Sequence, residues 1–175
     1  TPDVRACFDS IAQRISTWDW FIKITEDPRN EEDYLRISAI GNRVRDFLQN
    51  PSTDGTTWQE MMIAMVTDLL VYDAGVIELV NDQEGRLVEL QTWLGSEWFP
   101  VIDEHGHLLY YDQQPEDNFE TPVRVSPENL AYFKLYNNNR SVLGLPVLET
   151  VINECLTVIL ASEHAMLALD ADEIP

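Results

Sequence analysis

The segment from Trp58 to Glu78 constrains this chain more than any other. Met61, Met62, Ile63, Ala64, Met65, Val66, Leu69, Leu70 and Val71 leave a helix over 57–73 with no polar face. A helix that is apolar on nearly every side has to be buried, so this one predicts the centre of the core. Thr57 and Glu60 stand at capping-box spacing at its start. The helix then runs into Asp73-Ala74-Gly75 and leaves as a strand, Val76 to Val80. An acid at the end of a helix opposes the helix dipole, so Asp73 predicts a specific hydrogen bond there. Asp68, inside the same apolar helix, needs a partner as well.

Around this helix the periodicity changes twice. Residues 3–16 place Val4, Cys7, Phe8, Ile11, Ala12 and Ile15 at helical spacing, with Asp3 as N-cap. Trp18 to Ile24 reads as an aromatic, β-branched strand, broken at Asp27-Pro28. Residues 31–49 return to helix, with Tyr34, Ile37, Ile40, Val44, Phe47 and Leu48 on one side and Arg36, Arg43 and Arg45 mostly on the other.

From Gly75 the pattern has period two, predicting strands near 76–81, 86–93, 98–102, 107–112, 122–125 and 130–136. Two turns repeat Asp-x-x-Gly-x-Leu, at Asp82 and at Asp103, with Gly85 and Gly106 in the left-handed position. Loops are expected at 113–120 and at 137–141, and a last helix over 145–169. The fold class that follows is α+β, with apolar helices packed on an antiparallel, hairpin-rich sheet system.

Chemistry is sparse. Eleven Lys and Arg against 31 Asp and Glu give a net charge of −20, which repels phosphate and anionic lipid. Solubility explains such a surface by itself; a surface that faces DNA without holding it explains it too. His105 and His107 flank a hairpin tip and read as exposed turn residues, since a metal would need ligands converging from elsewhere. The turn 81–85 lacks the spaced ligands of a calcium loop. Cys7 and Cys155 lie in apolar helical patterns and read as buried thiols. No nucleophile–base pair, phosphate loop or CxxC is legible, so neither catalysis nor a bound metal or other cofactor is expected. The five tryptophans, Trp18, Trp20, Trp58, Trp93 and Trp98, read as core or as the walls of a ligand groove. No run approaches the length of a membrane span, and no membrane partner is expected.

The order of these parts resembles the portal proteins of tailed bacteriophages, the head-to-tail connectors. The resemblance is carried by the helix Val4 to Ala12, the Trp18–Ile22 segment and Asn50-Pro51. It continues in the Trp-led helix ending Asp68 to Gly75, the strand Ile77 to Val80, the hairpin with Gly85 and Leu87, and Tyr110-Tyr111. It closes on Leu130 to Phe133 and the helix start Gly144-Leu145-Pro146-Val147-Leu148-Glu149. Asp73-Ala74-Gly75 departs from the Gly-Asn-Ala that many members carry.

The resemblance implies one wing-like domain over 1–175, with 145–175 leading towards the stem and the clip and crown absent, as in a piece of a longer protein. It implies a non-enzymatic ring, a dodecamer in the full-length protein, through which DNA is packaged and ejected without sequence-specific binding. The implied partners are other portal subunits, capsid and scaffold proteins, terminase and tail or adaptor proteins. The implied locations are the portal vertex of a phage or prophage virion and the host cytoplasm during assembly. Arg36, Arg43, Arg45 and Arg140 are the candidate subunit contacts, and Gly75, Gly85, Gly106 and Gly144 the structural turns. The competing expectation is an acidic ligand- or protein-binding module with an aromatic groove, unrelated to phage.

Overall fold

A computed structural model describes residues 2–23, 25, 27–114, 122–136 and 143–172, with side chains to 167 at the C-terminal end. Among these, four α-helices and six strands follow in the order α1 (Pro2–Ser16), α2 (Glu31–Gln49), α3 (Trp58–Tyr72), β1 (Gly75–Asn81), β2 (Leu87–Trp93), β3 (Trp98–Ile102), β4 (Leu108–Gln113), β5 (Val123–Val125), β6 (Leu130–Phe133) and α4 (Val147–Asp172). Short 3-10 turns at Gly95–Glu97 and Pro127–Asn129 lead into β3 and β6. The strands form two antiparallel sheets, ordered β2-β1-β6 and β3-β4-β5. The α+β expectation holds.

The apolar helix is central, as its composition requires. Val66 and Leu70 of α3 pack with Ala12 of α1, joined by Phe8, Ile15, Met62, Ile63 and Val147. On another side Met61 packs with Ile77 and Leu90 of the first sheet, joined by Phe47, Leu48, Trp58 and Met65. A third cluster, Val76, Trp98, Tyr111 and Leu130, fastens the two sheets together. The capping box at the start of α3 is formed in both directions: Thr57 N–H donates to Glu60 Oε2 at 2.8 Å and Glu60 N–H to Thr57 Oγ1 at 3.3 Å.

The two hairpins share one construction. Asp82 accepts from the backbone N–H of Glu84 and Arg86, and Asp103 from those of His105 and His107. Gly85 and Gly106 take φ of 76° and 85°, the left-handed conformation the repeat predicts. These backbone hydrogen bonds come first among the causes that hold both aspartates below the ordinary carboxylate range.

Four expectations need correction. Trp18–Lys23 is not a strand; it is irregular and pairs with neither sheet, and Trp18 and Phe21 stand 66% and 80% exposed. Asp3 lies in the first turn of α1, which opens at Pro2, a residue suited to the first helical position, so it does not cap the helix. Cys7 is exposed and Cys155 half-buried: the packed stripe of α1 runs through Phe8, Ala12 and Ile15, beside Cys7, and α4 is covered mainly at its first turn. The apolar side of α2 is only partly covered. Phe47 and Leu48 reach the core, while Tyr34, Ile40 and Val44 remain exposed.

Candidate functional site

The best-built polar feature is the corner at the end of α3. Asp73 closes the helix in the left-handed conformation, φ 51°, with its own N–H donating to Leu69 O at 3.1 Å. The residue is fully buried. Its carboxylate accepts from Leu135 N–H at 2.6 Å, from Leu145 N–H at 2.7 Å, and from Tyr136 N–H at 3.3 and 3.4 Å. One side chain thus fastens the end of α3 to the exit of β6 and to the entry of α4. Gly144 packs so tightly against this carboxylate that a Cβ there would overlap it.

The specific hydrogen bond expected of Asp73 is therefore present, in multiple form. The turn expectation moves with it. The left-handed residue of the corner is Asp73 and not Gly75, which opens β1 against Met65 and Leu69, and Gly144 is a close-packing glycine.

Two more carboxylates hold the scaffold. Asp68 of α3 accepts from Gly95 N–H at 2.8 Å, bracing the turn before β3. Burial pushes its pKa up and that single hydrogen bond opposes the shift. Glu89 of β2, 7% exposed, accepts from Thr53 N–H at 2.9 Å and from the Ser52 and Thr53 hydroxyls at 2.8 Å. Those donors, the Thr53 amide foremost, lower its pKa to about 2. Sequence reasoning missed Glu89, because nothing in the local pattern links a strand glutamate to a loop 36 residues earlier.

Among the described residues no group of His, Cys, Asp and Glu is placed to hold a metal ion. His105 and His107 are exposed at their hairpin tip, where His107 Nδ1 lies 3.0 Å from Asp103. Tyr132, stacked on Tyr111 at 5.3 Å, is pushed up to about 12, first by burial and then by the neighbouring charges of Tyr111 and Asp73. The tryptophans do not converge on one groove. Trp98 is core, Trp93 Nε1 donates to Glu78 at 2.7 Å, and Trp20 and Trp58 sit 6.3 Å apart across an open cleft. No described helix is long and apolar enough to cross a membrane.

The predicted arginines lie on α2, with one exception. Arg36 pairs with Asp33 one turn away at 2.8 Å. Arg43 and Arg45 are exposed and make no ion pair among the described residues. Arg140 lies outside the described residues.

No family model matches the chain. Solved structures do. A chain in the neck of an empty gene transfer agent particle, computed with C6 symmetry, superposes on 97% of this chain with a TM-score of 0.76 at 18% identity. The fold is that of a neck chain. A chain in the neck of the native particle, computed with C12 symmetry, superposes on 91% with a TM-score of 0.62, also at 18% identity. A phage portal protein of the HK97 family from Corynebacterium diphtheriae matches 63% at a TM-score of 0.33, which adds nothing to the fold assignment. This chain spans 43% and 49% of the two neck chains, so it corresponds to about half of each. The shared fold agrees with the head-to-tail connector resemblance carried by the sequence.

Proposed function

We propose that this chain is the wing-like part of a portal-type connector subunit, a structural protein that builds a ring around the DNA passage of a phage-like particle. The observation that carries the reading is the superposition of 97% of the chain on a neck chain at a TM-score of 0.76. Copies of the chain are its principal partners, twelve in a full ring, with capsid, scaffold, terminase and tail or adaptor proteins meeting the same ring. Its place is then the virion neck, reached by assembly in the host cytoplasm. The wing-like unit spans 1–175, and α4 carries the chain towards the stem.

The chemistry of the surface supports a passive role. A net charge of −20 repels a DNA duplex wherever the two come within about 8 Å, the Debye length at physiological salt. Carboxylates with defined partners, Asp73, Asp68 and Glu89, brace the scaffold through hydrogen bonds to backbone amides and hydroxyls. On this reading the protein is not an enzyme: it guides packaging and ejection by geometry, and the motor that does work on DNA is another protein.

Electron microscopy of the full-length protein tests the proposal. Closed rings with a central channel are expected, together with no retention of duplex DNA in a gel-shift assay at physiological salt. A protein that stays monomeric at every concentration, or one that binds DNA tightly through high salt, overturns it. The aromatic-groove alternative rests on the cleft that Trp20 and Trp58 line, since the other tryptophans lie elsewhere.

A further inference from the structure

Two separate segments press on the backbone that leaves α3, and each does so through a glycine. The first is the Gly95–Glu97 turn that leads into β3. Gly95 is buried, and a Cβ on it would overlap the Ala74 carbonyl. Its N–H donates to Asp68 Oδ2 at 2.8 Å, so the turn hangs on α3 near the end of that helix. The second segment is the entry of α4. A Cβ on Gly144 would overlap the Asp73 carboxylate, and Leu145 N–H donates to Asp73 Oδ2 at 2.7 Å. Asp73 and Ala74, the two residues so pressed, are neighbours in the chain and fully buried, 0% and 4% exposed. Gly75 completes the set, since a Cβ on it would crowd Met65 and Leu69. Three successive residues are thus packed against three different parts of the chain: the entry of α4, the turn before β3 and the body of α3.

We propose that this corner is a conformational relay. A shift of the Gly95 turn is passed through Ala74 and Asp73 to the entry of α4, and a shift of α4 is passed back. Packing enforces the coupling. Groups packed without spare volume transmit strain, and a glycine whose Cβ has no room marks such a contact. The peptide unit between Asp73 and Ala74 is planar and stiff, so a push on one is felt by the other. On the turn side the relay reaches further. Trp98, directly after the turn, is 2% exposed and packs with Val76, Tyr111 and Leu130 where the two sheets meet. Whatever bears on the second sheet can thereby set the direction in which α4 leaves the domain. The two carboxylates have distinct parts: Asp68 holds the turn to α3, and Asp73 holds the entry of α4 and the exit of β6. The relay lies within one chain and does not depend on a ring.

Hydrogen exchange on the full-length protein tests the relay, read by mass spectrometry of peptides that cover Gly95, Leu145 and, as reference, Thr53. The Thr53 N–H is held by Glu89, outside the corner. Asp68→Ala frees the turn without adding an atom, and Gly95→Ala displaces it. Each should raise exchange at Leu145 roughly tenfold relative to Thr53, although Leu145 bonds to neither residue. In the reverse direction Asp73→Asn should raise exchange at Gly95 by a similar factor, because coupling between two sites is reciprocal. Should Gly95→Ala not fold, Asp68→Ala carries the forward direction alone. Exchange that rises only in the segment whose own hydrogen bond was altered shows two independent anchors and overturns the relay. Coupling in one direction only overturns it as well. So does a rise of equal size at Thr53, which shows a loss of global stability and no separate unit at the corner.

Discussion

Replacing Asp73 separates the hydrogen-bonding role of this side chain from its backbone role. Asparagine has nearly the same shape and tolerates the left-handed conformation, φ 51°, about as well as aspartate. It has one accepting oxygen where the aspartate has two. The two ends of the carboxylate serve different amides, Oδ1 taking Leu135 N–H and Oδ2 taking Leu145 N–H. Whichever way the amide is turned, one of these N–H groups faces an NH2 and is left buried without an acceptor. Such a group costs about 1–3 kcal/mol, so Asp73→Asn should destabilise by about 2 kcal/mol. Asp73→Ala strands all three amides and should cost about 3–5 kcal/mol, a large share of the 5–15 kcal/mol typical of a domain. Urea unfolding followed by tryptophan fluorescence, with an unchanged m-value, reads both. A midpoint for Asp73→Asn within about 0.5 kcal/mol of wild type, or an alanine variant no worse than the asparagine one, would show that the corner is held by packing and refute the reasoning.

Other perturbations follow from the same geometry. Gly85→Ala and Gly106→Ala should each cost about 1 kcal/mol in equilibrium unfolding, because φ is positive at both; costs near zero would contradict those turns. Burial raises the pKa of Asp68, so its ionised form opposes folding and its contribution improves as pH falls towards the ordinary carboxylate value. Asp68→Asn keeps an acceptor for Gly95 N–H and should match or exceed wild-type stability at neutral pH, and a clear loss there would contradict the burial argument. The pKa of Glu89 is depressed to about 2, so its stabilisation is complete above the ordinary glutamate value of 4.5 and is lost as pH falls from there through about 2. Glu89→Gln should therefore flatten the acid limb of a stability–pH profile and speed hydrogen exchange at Thr53, and an unaltered limb would exclude this role.

Local pattern reached most of the fold because most of the fold is locally determined. The all-apolar stretch of α3 admits burial on every side and nothing else, and the repeated Asp-x-x-Gly turns set strand register within a few residues. The failures have a common cause, the dependence of a residue on what the rest of the chain supplies. Trp18–Lys23 has strand composition but no partner strand. Ile40, Val44 and Cys7 have core composition on faces that no described element covers. The Asp73 junction was half legible, because an acid at a helix C-terminus signals a missing donor. The donors themselves lie 62 to 72 residues away, on segments with no mark in the sequence. Glu89 carried no signal at all, being one more glutamate among many.

The Asp73 junction ties the entry of α4 to the end of α3. Among the described residues, the 26-residue α4 is covered mainly near Val147. A helix passes a tilt at its root along its length, about 1.5 Å of lever per residue. The restraint at that root includes Leu145 N–H on Asp73, with Gly144 pressed against the same carboxylate. Loosening this corner should displace α4 even where global stability suffices to keep the domain folded. The cost of Asp73→Asn should therefore show twice: as about 2 kcal/mol in unfolding, and as weaker assembly of folded protein at temperatures well below the melting point. Assembly that tracks only the folded fraction would mean that the orientation of α4 is set elsewhere.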